Sequence, residues 1–386
     1  MKHYILNMPN IGKTEKSYVN DVLTKGWLSS GGIHTKIFEN KFATFLNIKF
    51  ALAVQSGTGA LHVALKAMGV SSGDKVIVPN YSCVSNISSV SQCNAIPVIV
   101  EIERDTLGLD YELVKKAIKV HSPKALQLVH VYGFPARDTK KIISLCKREK
   151  ILVIEDGSEA LGASISKKMI GTFGDISIFS IRSEKMIGVG EGGMVLSNNK
   201  NLFEKVKLLA SRNAPFRSKK DPYWKKYFTL GEGYNYLMPH LLGAVGRAQI
   251  EKFEKDILPK KIAIGKNYRV IMDNNFFSFL QKEDGKSKSA YWLNCIYFKH
   301  LNFKKVIKVG EELMNNGVEV RSGFWPLNKM KKFKSIYVKN LVNISNDVFN
   351  KSIVLPSNYA LKKNDLKNIY KILLKILKKN NFDESN

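Results

Sequence analysis

From about residue 50 to residue 250, short runs of aliphatic and β-branched residues alternate with segments of helical period. The runs include Phe50 to Val54, Lys75-Val76-Ile77-Val78, Pro97-Val98-Ile99-Val100, Ala125 to Val129, Ile151 to Ile154 and Asp175 to Ile181. Between them, Ala60 to Met68 and Thr139 to Lys147 carry apolar residues at helical spacing. This alternation predicts an α/β fold with a mostly parallel central sheet covered by helices on both faces. In such sheets ligands gather at the carboxyl ends of the strands, and Asp156 and Ser180 stand there.

The pattern changes after Gln249. A long helical stretch to about Met272, interrupted near Pro259, is followed by a strand-like Leu293 to Phe298. A helix near Gly310 to Asn316 and the run Val318-Glu319-Val320-Arg321 come next. In the last segment, Asp365 to Lys378, Leu366, Ile369, Leu373, Ile376 and Leu377 share one helical face. These elements predict a large α/β domain over 1–249 and a smaller α+β domain over 250–386. The last helix is basic and amphipathic; closing a small domain is a commoner use of such a helix than lying on a membrane.

Composition narrows the choice of partners. The 386 residues include 61 Lys+Arg against 33 Asp+Glu, a formal charge of +28. An excess of this size suits nucleic acid, a membrane surface or an anionic small substrate. The lysines are scattered, with no dense basic arm and no RNP-type aromatic motif, which argues against nucleic acid and leaves the anionic substrate. The four cysteines (Cys83, Cys93, Cys146, Cys295) lie far apart without a CxxC pair. Neither a disulfide framework nor a zinc knuckle is indicated, and reduced thiols in a cytoplasmic enzyme fit best. No signal peptide and no apolar stretch of membrane-spanning length is read.

Lys185 follows the strand-like Asp175 to Ile181 and precedes a glycine-rich bend, and Asp156 ends another apolar run 29 residues upstream. An amine and a carboxylate at two strand ends are what pyridoxal phosphate chemistry requires. Ser56-Gly57-Thr58-Gly59 opens a helix after a strand, a place for a phosphate or for ordinary capping by Ser56 or Thr58. Gly188-Val189-Gly190-Glu191-Gly192-Gly193 fits the dinucleotide fingerprint, but it runs into the strand-like Met194 to Ser197 instead of opening a helix. A nicotinamide site is therefore disfavoured. Asn235, in Gly233-Tyr234-Asn235-Tyr236, reads on its own as a turn residue.

Together these landmarks resemble the sugar aminotransferases of the DegT/DnrJ/EryC1/StrS type, fold-type-I pyridoxal phosphate enzymes. Gly26 to Gly31, Gly73 to Pro79, His130 to Gly133, Gly174-Asp175, Gly317 to Arg321 and Leu355-Pro356 complete the series in family order. The resemblance implies that Lys185 is the Schiff-base lysine and proton shuttle, and that Asp156 pairs with the pyridine nitrogen. It places Glu159 near the phenolic oxygen, and Ser56, Gly57, Thr58 and Ser180 around the phosphate. Asn235 would reach that phosphate from the neighbouring subunit, making the enzyme a homodimer with shared sites. Cys83 stands where the family commonly stacks an aromatic ring on the cofactor; strand alternation offers Tyr81 as a substitute. Leu237 and Asn328 replace an arginine and a histidine common in the family.

The implied reaction moves an amino group from glutamate to a keto-sugar carried on a nucleoside diphosphate. Candidate substrate contacts are Arg182, Arg321, Trp27, Ser29 and the basic segment Arg217 to Lys226. Glu159, in Glu155-Asp156-Gly157-Ser158-Glu159-Ala160, looks most like the perosamine-synthase branch, which aminates GDP-4-keto-6-deoxymannose at C4 for surface polysaccharide. UDP- and dTDP-linked keto-sugars remain open. Family dehydratases carry histidine in place of the lysine, so Lys185 argues against that class. Intact Lys185, Asp156 and Asn235 argue against a non-catalytic relative.

Overall fold

The computed structural model describes residues 2–214 and 228–382. Its core is an eight-stranded sheet in the order Phe50–Val54, Gly193–Ser197, Ile176–Ser180, Leu152–Asp156, Ala125–Val129, Lys75–Pro79, Ile96–Val100, Ile336–Val338. Gly193–Ser197 is antiparallel to both neighbours, and the pairings from Ile176–Ser180 onward are parallel. The apolar runs form these strands because both faces are covered: Val76 to Val78, Val98 to Val100 and Ala125 to Leu128 are almost wholly inaccessible. The helices Gly57–Ala67, Tyr111–His121 and Thr139–Arg148 are crossover and covering elements of this sheet.

The C-terminal part has its own antiparallel sheet, Ser278–Phe279, Asn294–Tyr297, Ser352–Leu355 and Arg321–Ser322. The helix Lys363–Lys379 seals it, burying Leu366, Ile369, Leu373, Ile376 and Leu377. One strand from beyond residue 249, Ile336–Val338, crosses back to edge the large sheet. The amino-terminal segment crosses the other way, Tyr4 bridging to Val318 and the Leu6 N–H reaching Glu319. Among the described residues, no helix is long and apolar enough to cross a membrane.

Three expectations about local structure are corrected. Pro259 does not interrupt its helix: His240–Lys252 passes through a π-helical turn, Phe253–Ile257, into Leu258–Ile271. The π-helical turn just before Pro259 breaks the i→i−4 ladder, and such a break accommodates a proline's missing N–H without ending the helix. The helix expected near Gly310 begins at Phe303, capped by the Asn302 side chain. Tyr81 lies beyond the strand end at Pro79, so two-residue alternation does not apply to it. It is fully buried, its hydroxyl 3.0 Å from that of Tyr132 and its ring edge-on to Phe324. Tyr81 thus has a packing role of its own and no free face for a cofactor.

Consecutive carboxylates end the strand Leu152–Asp156, and alternation sends them to opposite faces. Glu155 is completely buried and accepts backbone N–H groups from Gly171 (2.7 Å), Phe173 (2.6 Å) and Gly174 (2.9 Å). His130 Nδ1 accepts from the Ala136 N–H, so its Nε2–H faces Glu155 at 3.3 Å. Glu155→Ala strands these donors in the core and is expected to cost at least about 3 kcal/mol in denaturant unfolding. A loss under about 1 kcal/mol would show that the turn does not depend on the carboxylate.

Candidate active site

Asp156 lies at the carboxyl end of the parallel strands, where the sheet opens. Its Oδ1 accepts the Ser158 N–H at 3.0 Å and its Oδ2 accepts Asn86 Nδ2 at 2.9 Å. The Asn86 amide also donates to Gln127 Oε1 (2.9 Å), and Gln127 in turn donates to Ser89 Oγ (3.1 Å). All four side chains are buried. The carboxylate is therefore held in one orientation by a network whose donors are satisfied.

Glu159 is reached through the turn that follows. Its Oε2 accepts the Tyr132 N–H at 2.9 Å, and its Oε1 lies 3.3 Å from Lys185 Nζ. Tyr132 offers that N–H from a left-handed backbone (φ 54°), an uncommon state for an aromatic residue. Burial pushes the Glu159 carboxyl above its ordinary value, and the attraction of Lys185 pulls part of the way back. Only 11% of the Lys185 side chain is accessible, and its Nζ sits 3.8 Å from the centre of the Trp292 ring. Behind it, Ile181 N–H to Gly192 O, Ser183 N–H to Gly190 O and Lys185 N–H to Arg182 O shape the bend.

The glycine run has a structural reason that the dinucleotide pattern lacks. A Cβ on Gly193 would lie 2.5 Å from Ser56 O, so glycine lets this strand run against the Ser56 bend. A Cβ on Gly57 would lie 2.9 Å from the Ser180 Cβ. Capping and cradle coexist here. Ser56 Oγ accepts the Gly59 N–H at 3.0 Å, while the Gly57 and Thr58 N–H groups precede the first helical bond, Ala60 N–H to Ser56 O. Thr58 Oγ1 meets Ser85 Oγ at 2.8 Å, and half-buried Cys83 lies 3.4 Å from that hydroxyl. An anion cradle, a fixed carboxylate and a shielded amine are the donor set that pyridoxal phosphate needs, and these residues fit it.

The structure thus brings together Lys185 and Glu159, groups Ser56, Gly57 and Ser180 with Thr58 and Cys83, and fixes Asp156. Asn235 stands apart. Tyr234 and Tyr236 pack against His62 at 4.7 and 5.9 Å, and alternation leaves Asn235 exposed between them. Arg182 is engaged by Glu184 (3.0 Å) and Glu191 (2.9 Å). Arg321 is exposed, lining a cleft of about 570 Å³ with Phe303, Ile307 and Phe349. Trp27 and Ser29 are exposed in a turn tied down by His240, whose Nδ1 meets Trp27 O at 2.8 Å and whose N–H reaches Leu28 O. Leu237 bridges to Val54, and the Asn328 N–H donates to Asn80. The segment Arg217 to Lys226 lies outside the described residues.

Sequence reading missed Asn86 and Trp292, and met Tyr132 only as part of the His130 to Gly133 landmark. Asn86 and Trp292 act across 70 and 108 residues of chain, respectively, and neither belongs to a local pattern. Only Tyr132, beside a glycine after a strand, carries a signal, that of a tight turn.

The raised Glu159 carboxyl has a consequence for stability. Between its ordinary value of 4.5 and its raised value, the folded chain binds more protons than the unfolded one, so stability falls as pH rises through that window. In Glu159→Gln that slope is removed. Thermal melts are expected to show the variant gaining on the native protein as pH rises from 4.5 toward neutrality. Two curves that stay parallel across this range would contradict the shift.

Comparison with known proteins identifies the family. The pattern of the DegT/DnrJ/EryC1/StrS aminotransferase family matches residues 9–374. The chain is similar to GDP-perosamine synthase of Vibrio cholerae, 35% identical over 349 residues, covering 90% of this chain and 92% of that one. The enzyme of the same name from Escherichia coli O157:H7 is 33% identical over 92% of this chain and 94% of its own. Among solved structures, PseC of Helicobacter pylori, an aminotransferase involved in the biosynthesis of pseudoaminic acid, superposes with a TM-score of 0.87. That match has 25% identity and covers 98% of this chain and 100% of PseC. The chain belongs to the DegT/DnrJ/EryC1/StrS aminotransferase family, the pyridoxal phosphate-dependent sugar aminotransferases whose landmarks its sequence carries.

Proposed function

We propose that the enzyme moves an amino group from glutamate to C4 of GDP-4-keto-6-deoxymannose, in the cytoplasm, for surface polysaccharide. The observation that carries the reaction type is the shielded Lys185 amine paired with Glu159, in a chain whose Asp156 is fixed by Asn86. Bound pyridoxal phosphate supplies the electron sink for proton loss at the amino-bearing carbon. The residues of the chain do the rest. The cradle at Gly57, Thr58 and Ser180 would hold its phosphate, and Asp156 would accept a hydrogen bond from its ring nitrogen. Lys185 Nζ would take the proton from the donor's amino-bearing carbon in the first half-reaction and deliver a proton to the sugar carbon that receives the amine in the second. The two GDP-perosamine synthases, each matched over nine-tenths of its length, support the GDP-linked sugar. Free cysteines, three of them buried, suit a reducing compartment.

The active unit in this reading is a homodimer in which Asn235 completes the partner's phosphate site. Its outward presentation supports this, as do exposed Leu23, Trp27, Leu28 and Ile33 in the first two helices and the turn between them.

A panel of GDP-, UDP- and dTDP-linked 4-keto sugars with glutamate tests the substrate. GDP-4-keto-6-deoxymannose is expected to be aminated with release of 2-oxoglutarate. Turnover confined to a UDP- or dTDP-linked sugar would replace the carrier and leave the reaction type standing; no amino transfer to any of them would sink the reading. Subunit mixing tests the shared site. Lys185→Ala and Asn235→Ala chains, each inactive or weak alone, are expected to recover roughly a quarter of native activity after exchange, because each mixed dimer contains one intact site. Absence of any recovery would place Asn235 in its own subunit's site or outside it.

A further inference from the structure

Lys261 lies on the helix Leu258–Ile271 and is only 2% accessible. Burying an ammonium without a counter-charge is expensive, so its surroundings need explaining. Among the described residues no carboxylate pairs with it. Its three N–H donors go to neutral oxygens instead: Trp292 O at 2.7 Å, Asn7 Oδ1 at 3.3 Å and Ser357 O. Burial pushes the Lys261 ammonium down to about 7.

Two of these acceptors lead to a single atom. The Trp292 indole donates to Glu184 O at 2.6 Å, and Asn7 Nδ2 donates to the same oxygen at 2.6 Å. Glu184 is the residue before Lys185, and the face of that indole lies 3.8 Å from Lys185 Nζ. The third acceptor, Ser357, donates its N–H to Leu6 O at 2.6 Å, fixing the amino-terminal segment that carries Asn7. Lys185 and Lys261 also border one small cavity of about 10 Å³, close to the size of one water, with Asn7 and Tyr359. The other charged groups near this point are already engaged: Glu159 by Lys185, and the Glu184 carboxylate by Arg182.

We infer that Lys261 is a positioning residue for Lys185, a buried amine that clamps Trp292 and Asn7 so that both grip the Glu184 carbonyl from which the reactive lysine hangs. A nonpolar side chain there would leave three buried oxygens without donors and release both grips at once. Because the acceptors are three separate neutral oxygens, the amine ties together three different chain segments. The inference rests on Lys185 as the reactive amine and is independent of which sugar is aminated.

The test is amide hydrogen exchange of the full-length protein as purified, comparing Lys261→Met with the native chain. Exchange over residues 183–189 is expected to accelerate about tenfold, while the helix Thr139–Arg148 keeps its native rate. Steady-state kinetics with glutamate should show kcat reduced about tenfold and KM within about twofold, the signature of a displaced reacting group. Native exchange over 183–189 overturns the inference, and so does uniform acceleration along the whole chain, which would make Lys261 an ordinary core residue. If Lys261→Met does not fold, Trp292→Phe keeps a ring beneath Lys185 and removes its N–H; native exchange in that variant overturns the inference equally. Borohydride trapping of the cofactor on a different lysine would instead defeat the role given to Lys185, leaving the exchange result to be judged separately.

Discussion

The site depends on a carboxylate that cannot turn. Asp156 is the last residue of a central parallel strand, and its two oxygens are taken by a backbone N–H and by an amide from a neighbouring helix. A carboxylate free to rotate would present either lone-pair edge to a ring nitrogen and would be solvated as the ring arrived. Here the reorganisation is completed on folding, which is the sense in which preorganised polar groups stabilise charge in a closed site. The cost falls on Asn86, Gln127 and Ser89, polar side chains buried among aliphatic strands and tolerated because each finds a partner.

Glu155, the adjacent residue, does comparable work on the other face. It collects the N–H groups of the Gly171 to Gly174 turn and so leads the chain into the strand Ile176–Ser180. One strand end therefore orients Asp156 on one side and the backbone leading to Ser180 and Lys185 on the other. This coupling follows from the two-residue period of a strand and requires no contact between the two carboxylates.

How much of this was legible follows from the range of each interaction. The parallel sheet, the helix Lys363–Lys379 with its five apolar contacts, and the strand after the glycine run are local patterns and could be read directly. Lys185, Asp156 and the Ser56 bend were legible as candidates because strand ends are where such chemistry sits. The supports were not. Asn86 looks like any helix asparagine until Asp156 is placed beside it, and Trp292 becomes relevant only when the C-terminal part folds back on residue 184. Tyr81 failed for a related reason: an alternation argument needs the strand to continue, and Pro79 ends it. Arg182 shows the limit of proximity in sequence, since its nearest neighbours along the bend are the acids that occupy it.

The close approach at Gly193 makes the sheet a measuring device. This strand lies between Phe50–Val54, which leads to the Ser56 bend, and Ile176–Ser180, which leads to the lysine. Gly57 and Ser180 meet across the end of this strand, where a Cβ on Gly57 would come within 2.9 Å of the Ser180 Cβ, and the absence of a methyl group at Gly193 permits the approach. A side chain at position 193 would meet Ser56 O and Gly57 N, so the Ser56 bend would have to shift away from the strand. The separation of the Ser56 bend from Ser180 is thus set by backbone packing and not by any side chain that could adjust.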